Sequence, residues 1–208
     1  MYIPKHFRED ELNTLHSLMR TYSFATLITQ HEGIPFATHL PFILDTERGP
    51  YGTLLAHMAR PNPQWHDCTG EQEALVIFQG PHAYISPSWY EVELSVPTWN
   101  YAAVHAYGIP KIIEDGEELY QLLKVLIETH EAQFENPWPF QLPDDYLQKM
   151  MRGIVAFEID ITRLEGKFKL SQNRTNSERE NVIAALQDSP DTQPVAEIMK
   201  HQLLGTKS

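Results

Sequence analysis

The spacing of apolar residues along the chain predicts a fold built mainly of short strands. Extended runs rich in apolar and β-branched residues lie at residues 23–29, 34–44, 52–59, 74–79 and 98–113. A further run, residues 153–162, alternates apolar and polar side chains, which is typical of a strand with one buried face. The turn cluster His31-Glu32-Gly33 separates the first two runs, which therefore predict a β-hairpin.

Proline and glycine mark irregular points within the longer runs. The run at 74–79 is apolar on both faces, as expected of a central strand, and residues 83–86 are expected to continue it after Pro81. Residues 167–170 are expected to continue the run at 153–162 past Gly166. The Gly108-Ile109-Pro110 tripeptide predicts a bulge or bend in the run at 98–113.

Helical periodicity appears between the strands and at the end of the chain. Amphipathic patterns predict helices over residues 10–20, 116–133 and 144–151, and two polar helices in the last forty residues. No strand–helix–strand alternation repeats, so a parallel sheet is disfavoured. The pattern predicts a mainly β fold, an antiparallel barrel with added helices, over residues 1–174 and a C-terminal helical extension over residues 175–208.

Composition narrows the class of protein and its partners. Lys and Arg number 16 against 28 Asp and Glu, so the net charge is −12, which argues against direct contact with DNA. No apolar run approaches the ~20 residues of a membrane-spanning helix, and the N-terminus has no apolar signal core. A single cysteine, Cys68, excludes an internal disulfide, so we expect a reducing, cytoplasmic and bacterial setting without membrane partners.

Standard catalytic and metal-binding motifs are absent from the sequence. It contains no G-x-G-x-x-G, Walker A, G-x-S-x-G or H-E-x-x-H motif, so no catalytic residue is assigned. One cysteine excludes a thiolate zinc site, and no metal is expected, although the ten histidines leave a cluster assembled in space open.

A polar stretch at residues 57–65 has the chemistry of an anion site. Arg60 carries a planar fork of donors suited to a phosphate, and Asn62 adds amide donors. A short helix starting near Pro63 would add free backbone N–H groups. The alternative is a surface arginine beside a turn cap, and the sequence leaves both open.

Four further stretches carry polar or aromatic residues that a core does not need. Residues 86–90 and 96–101 place aromatic rings and hydroxyls near strand ends, suited either to stacking on a planar ligand or to a subunit interface. Residues 167–174 reverse the local charge, which suits an anionic ligand or a solvated loop. Thr38 and His39 lie between apolar residues in a run whose Pro41 indicates an edge strand or bulge.

With these stretches in view, the sequence resembles the PaiB family of FMN-binding negative transcriptional regulators of protease synthesis and sporulation. The matching motifs include Thr38-His39-Leu40-Pro41-Phe42 and Val96-Pro97-Thr98-Trp99-Asn100-Tyr101. The remaining matches are residues 1–7, 57–65, 83–90 and 169–174. The resemblance implies a split β-barrel that binds FMN and forms a homodimer, with the FMN sites at the subunit interface.

The resemblance also implies roles for individual residues. Arg60 with Asn62 would hold the FMN phosphate, and the strand end before them contributes His57 and Ala59. The other implied FMN-binding residues are Thr38, His39 and Leu40 beside the flavin or ribityl chain, Thr98, Trp99 and Asn100 at the ring or interface, and Lys169, Gln172 and Arg174 completing the pocket.

Fold does not determine activity, so three functions follow from the resemblance. The first is a dimeric FMN-binding regulator. The second is a flavin-dependent oxidoreductase of the flavin reductase or pyridoxamine-phosphate-oxidase type, and the third is a haem-binding or haem-degrading protein, for which the ten histidines are the motive. Few basic residues follow Thr175, so a regulator of this kind is expected to act without direct DNA contact.

Overall fold

A computed structural model describes residues 1–205 of the chain. Its strands are β1 (Arg8–Glu9), β2 (Phe24–His31), β3 (Ile34–Pro41), β4 (Ile43–Asp45), β5 (Thr53–Ala59), β6 (Ala74–Ile85), β7 (Thr98–Ile113) and β8 (Ile154–Lys169). Its helices are α1 (Leu12–Thr21), α2 (Gly116–Glu131), α3 (Asp144–Arg152), α4 (Asn176–Gln187) and α5 (Gln193–Gly205), with short 3₁₀ turns at Lys5–Phe7, Pro63–Thr69 and Pro87–Tyr90. No helix in this part of the chain is long and apolar enough to cross a membrane.

The strands form one sheet in the order β3-β2-β6-β7-β8-β5-β4, and β1 pairs with β8. The β2–β3, β2–β6, β4–β5, β5–β8 and β1–β8 pairs are antiparallel. The predicted hairpin is confirmed: Thr26 pairs with His39 across β2 and β3, and Glu32 and Gly33 form the turn with positive φ. The central position predicted for the run at 74–79 is also confirmed, because β6 lies inside the order and not at its end.

The structure has both of the strand continuations that the sequence led us to expect. β6 continues through Pro81, which lies beyond the Leu75–Ile77 segment that pairs with β2. β8 likewise continues through Gly166. The single run predicted over 34–44 divides instead into β3 and β4 at Phe42, whose side chain is buried and whose N–H donates to Ser23 O at 2.9 Å.

Side-chain caps fix the starts of two of the helices. Asp115 accepts hydrogen bonds from the backbone N–H groups of Glu117 and Glu118 at 2.9 Å, which satisfies donors that the first turn of α2 leaves free. Thr175 and Glu178 form a reciprocal capping box at the start of α4.

The chain divides into two compact units, and β6, β7 and β8 pass from one to the other. Unit 2 comprises residues 19–78 and 105–164. Its core is built around Phe42, whose ring centroid lies 5.9 Å from that of Phe78 and 6.2 Å from that of Phe157. All three side chains are almost fully buried.

Unit 1 comprises residues 1–18, 79–104 and, within the described chain, 165–205. Its buried residues include Leu15, Ile85 and Phe168 as well as Val182 and Met199 of α4 and α5. The two C-terminal helices therefore share a compact unit with strand residues. The domain boundary predicted after residue 174 stays a prediction, and the end of the predicted extension, residues 206–208, lies outside the described residues.

Candidate functional site

Seven of the predicted site residues lie in unit 2 and are called the Arg60 cluster. They are Thr38, His39 and Leu40 on β3, His57 and Ala59 on β5, and Arg60 and Asn62 in the turn that follows β5. The turn is closed by a hydrogen bond from the Asn62 N–H to the Ala59 carbonyl at 2.9 Å. Arg60 lines a cavity of about 340 Å³ that Trp65, Ile154 and the acidic Glu114 also line.

Asn62 connects the turn to the edge strand β3. Its amide Nδ2 donates to Thr38 Oγ1 at 3.0 Å, and its Oδ1 accepts from the Gln64 N–H at 3.0 Å as the cap of the Pro63–Thr69 turn. The structure therefore brings together Thr38 and Asn62, two residues that the sequence proposed separately.

Arg60 is exposed, and its guanidinium is held by the backbone. Its Nε donates to the Arg152 carbonyl and its Nη2 to the Ile154 carbonyl, each at 2.8 Å. The Arg60 N–H also donates to Gly153 O at 2.9 Å. These bonds fix the plane of the guanidinium, while Nη1 and the second N–H of Nη2 have no partner within residues 1–205.

The histidines of the Arg60 cluster differ in environment. His57 is half-buried, and its Nδ1 is buried without a hydrogen-bond partner in the described chain. Burial lowers the pKa of His57, so its imidazole is neutral at pH 7. His39 is exposed, with Nδ1 3.0 Å from Thr26 Oγ1. Leu40, by contrast, is a core residue with 8% exposure.

Gln64 supports this site, and the sequence assigned it no role. It is fully buried, and its Nε2 lies within hydrogen-bonding distance of Leu27 O, Thr29 Oγ1 and Phe36 O, at 3.3, 3.1 and 3.1 Å. It thereby holds the turn that carries Asn62 against β2 and β3. The hydrogen-bond partners of Gln64 are distant in sequence. The only sequence signal for Gln64 is therefore its position within the matching motif at residues 57–65.

A second missed feature is a polar chain at the end of β2. His31 Nδ1 lies 2.9 Å from Asp67 Oδ1, and Thr29 Oγ1 donates to Asp67 Oδ2 at 2.8 Å. The hydrogen bond and negative charge of Asp67 raise the pKa of His31. No local pattern links these residues in the sequence, because the sheet brings β2 to the Pro63–Thr69 turn.

The other six predicted site residues lie in unit 1 and are called the Lys169 cluster: Thr98, Trp99, Asn100, Lys169, Gln172 and Arg174. Lys169 Nζ donates to Thr98 Oγ1 and, at 2.6 Å, to Trp99 O. Burial, with a smaller effect from the nearby Lys167 charge, lowers the pKa of Lys169. The Trp99 side chain is 53% exposed, so its indole is available to a ligand or another subunit.

Asn100 and Gln172 are hydrogen-bonded to other groups of the protein. Asn100 is fully buried, and its Nδ2 donates to Ser171 Oγ at 3.0 Å and to Met199 Sδ at 3.4 Å. Gln172 accepts from the Leu170 N–H at 2.7 Å and donates to Phe168 O. Both side chains tie the loop after β8 to its neighbours, and the half-buried Gln172 keeps one N–H of Nε2 without a partner in the described chain.

Arg174 is also engaged. Its Nη2 donates to Ser95 Oγ at 2.8 Å, its Nη1 to Glu178 Oε1 at 3.2 Å, and its guanidinium carbon lies 4.1 Å from the Tyr90 ring centroid. The local positive charge that the sequence indicated at residues 167–174 is therefore partly neutralised by Glu178 at its C-terminal end.

No group of three or more His, Cys, Asp or Glu side chains in residues 1–205 is arranged to hold a metal ion. Cys68 is buried, and burial raises the pKa of its thiol to about 12, with a further contribution from the Asp67 charge. A thiol with this pKa stays protonated at neutral pH, so Cys68 is not an activated nucleophile.

Comparison with known proteins identifies the family of this chain. A family model described as "Putative FMN-binding domain" matches residues 1–163. The chain is 40% identical over 207 residues to Protease synthase and sporulation protein PAI 2 of Bacillus subtilis (strain 168), covering 98% of both chains.

Two solved structures share the fold at low sequence identity. The FAD and haem binding protein from Mycobacterium smegmatis matches with a TM-score of 0.60 and 15% identity, covering 85% of this chain and 79% of that chain. The flavocytochrome Anf3 from Azotobacter vinelandii matches with a TM-score of 0.59 and 13% identity, covering 80% and 72%. The predicted split-barrel fold and the FMN cofactor are thereby confirmed, and the chain belongs to the PaiB family of FMN-binding proteins.

Proposed function

We propose that this protein is a homodimeric FMN-binding regulator that lowers expression of protease and sporulation genes without contacting DNA directly. The observation that carries the proposal is the 40% identity, along 98% of both chains, to a B. subtilis protein named for protease synthesis and sporulation. Because the match covers nearly the whole of both chains, we expect the two proteins to share one architecture.

The Arg60 cluster fits the phosphate end of FMN. The backbone carbonyls fix the guanidinium plane, and the remaining N–H groups of Nη1 and Nη2 form the fork that a phosphate accepts. The Asn62 amide, hydrogen-bonded to Thr38, and the unpartnered Nδ1 of His57 add neutral polar groups. Bound FMN supplies one- and two-electron redox chemistry, and these residues bind and orient it.

In the Lys169 cluster, the residues divide into contact and positioning roles. We assign Trp99, half-exposed, to the flavin ring or the interface, and Lys169 to the cofactor's polar groups. Arg174 is proposed to contact FMN through its guanidinium. Asn100 and Gln172 act as positioning residues, because their amides are hydrogen-bonded to Ser171, Leu170 and other groups of the protein.

FMN binding is tested on the purified full-length protein by visible absorbance and thermal unfolding. Flavin absorbance that survives dialysis is expected. At a hundred times the dissociation constant, FMN should add about 2.7 kcal/mol to the free energy of unfolding. A protein that gains neither absorbance nor thermal stability in excess FMN would contradict the proposal.

Direct contact with DNA is disfavoured by the residues at the C-terminal end of the described chain. Helices α4 and α5 contain only Arg179 and Lys200 as Lys or Arg residues, and Arg179 is 4% exposed. Tight DNA binding draws its affinity from several exposed basic side chains. Promoter fragments of protease and sporulation genes should therefore show no gel shift at low salt, while deletion of the gene raises their transcripts.

The same flavin-loaded sample separates a regulator from an oxidoreductase. NADH or NADPH added without other substrates should leave the flavin absorbance unchanged on the timescale of turnover. Rapid bleaching and aerobic recovery over many cycles would instead establish a flavin reductase. A Soret band that forms on haem titration and displaces FMN would establish the haem-binding alternative.

A further inference from the structure

Unit 2 contains a cavity of about 500 Å³ that none of the predicted site residues lines. It is bounded by the end of α1, the segment from β3 into β4, and one face of α2. Val125 and Thr129 line it from one face of α2, and Gln133 lines it from the turn that follows the helix. Its volume lies within the range of about 300–1,000 Å³ common for small-molecule sites.

The cavity has an apolar side and a polar side. Phe42, Ile43, Leu44 and Val125 supply hydrocarbon surface. Hydroxyl groups come from Ser23 and from threonines of α1 and α2. A ligand that fills it therefore needs both an apolar body and a polar end.

The charge in the cavity is positive, although the chain as a whole is acidic. Arg20 lines it, and no Asp or Glu of the described chain does. Arg20 Nη2 donates to Thr46 Oγ1 at 2.9 Å, and no carboxylate of residues 1–205 lies within 4.0 Å of its guanidinium. The nearby Asp45 directs Oδ1 to its own turn, where it accepts from the Glu47 N–H at 3.0 Å.

His130 adds another nitrogen-bearing side chain to the lining of the cavity. It lines the cavity from the last turn of α2, and its Nε2 is buried without a hydrogen-bond partner in the described chain. An unsatisfied buried nitrogen costs about 1–3 kcal/mol, so an oxygen-bearing ligand that reached it would recover part of that cost.

We propose that this cavity binds a small monocarboxylate with an apolar body, separately from FMN. The carboxylate pairs with Arg20, and the hydrocarbon part packs on Phe42, Leu44 and Val125. Arginine suits this role because its planar fork matches a carboxylate and because Thr46 occupies only one of its donors. Such a ligand would report a metabolite to the regulator at a site of its own.

The binding test uses the FMN-loaded full-length protein and four probes of similar size. Phenylacetate and isovalerate carry the carboxylate, 2-phenylethanol is the neutral analogue, and phenethylamine carries the opposite charge. Calorimetric titration should give carboxylate affinities at least tenfold above that of 2-phenylethanol, and no measurable binding of phenethylamine. Equal affinities for the three phenyl probes, or no carboxylate binding at millimolar concentration, would overturn the proposal.

Two variants assign the binding to this cavity. Arg20→Gln should weaken phenylacetate at least tenfold and leave 2-phenylethanol unchanged, whereas Val125→Trp should abolish both by filling the space. Val125 is 43% exposed, so the larger ring has room to be accommodated. Arg8→Gln, an exposed charge change in unit 1, is the matched control and should leave all affinities unchanged.

FMN absorbance in every variant reports folding and cofactor binding independently. Unchanged flavin occupancy with lost phenylacetate binding supports the cavity. If phenylacetate affinity is unchanged in both Arg20→Gln and Val125→Trp, the ligand binds elsewhere and the proposal is rejected. A protein without bound FMN that still binds phenylacetate through Arg20 would contradict the proposed cofactor function while leaving this inference intact.

Discussion

The guanidinium of Arg60 is the charged group of the proposed FMN phosphate site. The backbone carbonyls of Arg152 and Ile154 accept from its Nε and Nη2 and hold it in one plane. The sequence does not show which of the other predicted site residues are already hydrogen-bonded within the protein. Asn100 looks as polar in the motif as its neighbours, but its amide donates to Ser171 and Met199, which the fold brings from distant parts of the chain.

The Arg60→Ala variant should bind FMN about tenfold to a hundredfold more weakly, because hydrogen bonds to a charged group contribute about 1.5–3 kcal/mol. Riboflavin, which lacks the phosphate, should bind with nearly unchanged affinity. Fluorescence quenching titrations of both flavins measure the difference, and Arg8→Ala serves as the control. Equal losses for FMN and riboflavin would show that Arg60 acts on the fold and not on the phosphate.

The His31–Asp67 pair makes a prediction about pH. Because the pKa of His31 is raised above 6.5 by Asp67, the pair stabilises the fold below pH 6.5, and its contribution is lost as the pH rises through the folded pKa. An NMR titration should give a His31 midpoint above 6.5 in the wild type and a lower one in Asp67→Asn. Identical midpoints would remove Asp67 as the cause.

At the scale of elements, local patterns predicted nearly every strand and helix. They also anticipated that β6 and β8 continue past Pro81 and Gly166. They erred in the run over 34–44, which divides at Phe42, where the backbone N–H donates to the Ser23 carbonyl outside that run. Element type follows from periodicity within a segment, whereas the point at which a strand ends depends on what packs against it.

Gly166 gives an element-scale prediction, because β1 crosses it closely. A Cβ there would lie 2.3 Å from Leu15 Cδ2 and 2.5 Å from Glu9 O, and the backbone oxygen cannot move cheaply. Gly166→Ala should lower the free energy of unfolding by about 1–3 kcal/mol in urea titrations. Gly116→Ala is the control, since no atom lies within 4 Å of its added Cβ. A neutral Gly166→Ala would mean that β1 is loosely held.

For the molecule as a whole, the proposed dimer follows from apolar side chains that unit 1 leaves in solvent. Leu94, Val96 and Trp99 are 90%, 70% and 53% exposed within one short segment. Three exposed apolar side chains so close together in the chain mark a candidate surface for a partner subunit.

Sedimentation should therefore give a dimer at micromolar concentration and a monomer for Val96→Glu. The variant should also lose FMN, because the proposed sites lie at the interface. Leu204→Glu, which places the same charge on a residue that is 66% exposed, should remain dimeric. A wild-type monomer with full FMN occupancy would contradict both the dimer and the shared site.

The passage of β6, β7 and β8 between the two units has a consequence for folding. Unit 1 is assembled from the first, middle and last parts of the chain, and its strand β1 pairs Glu9 with Gly166. Contacts so distant in sequence form slowly, because a long loop must close before they are made. On the ribosome the N-terminal segment must wait for β8 to emerge, so we expect this unit to complete its folding only after synthesis is nearly finished.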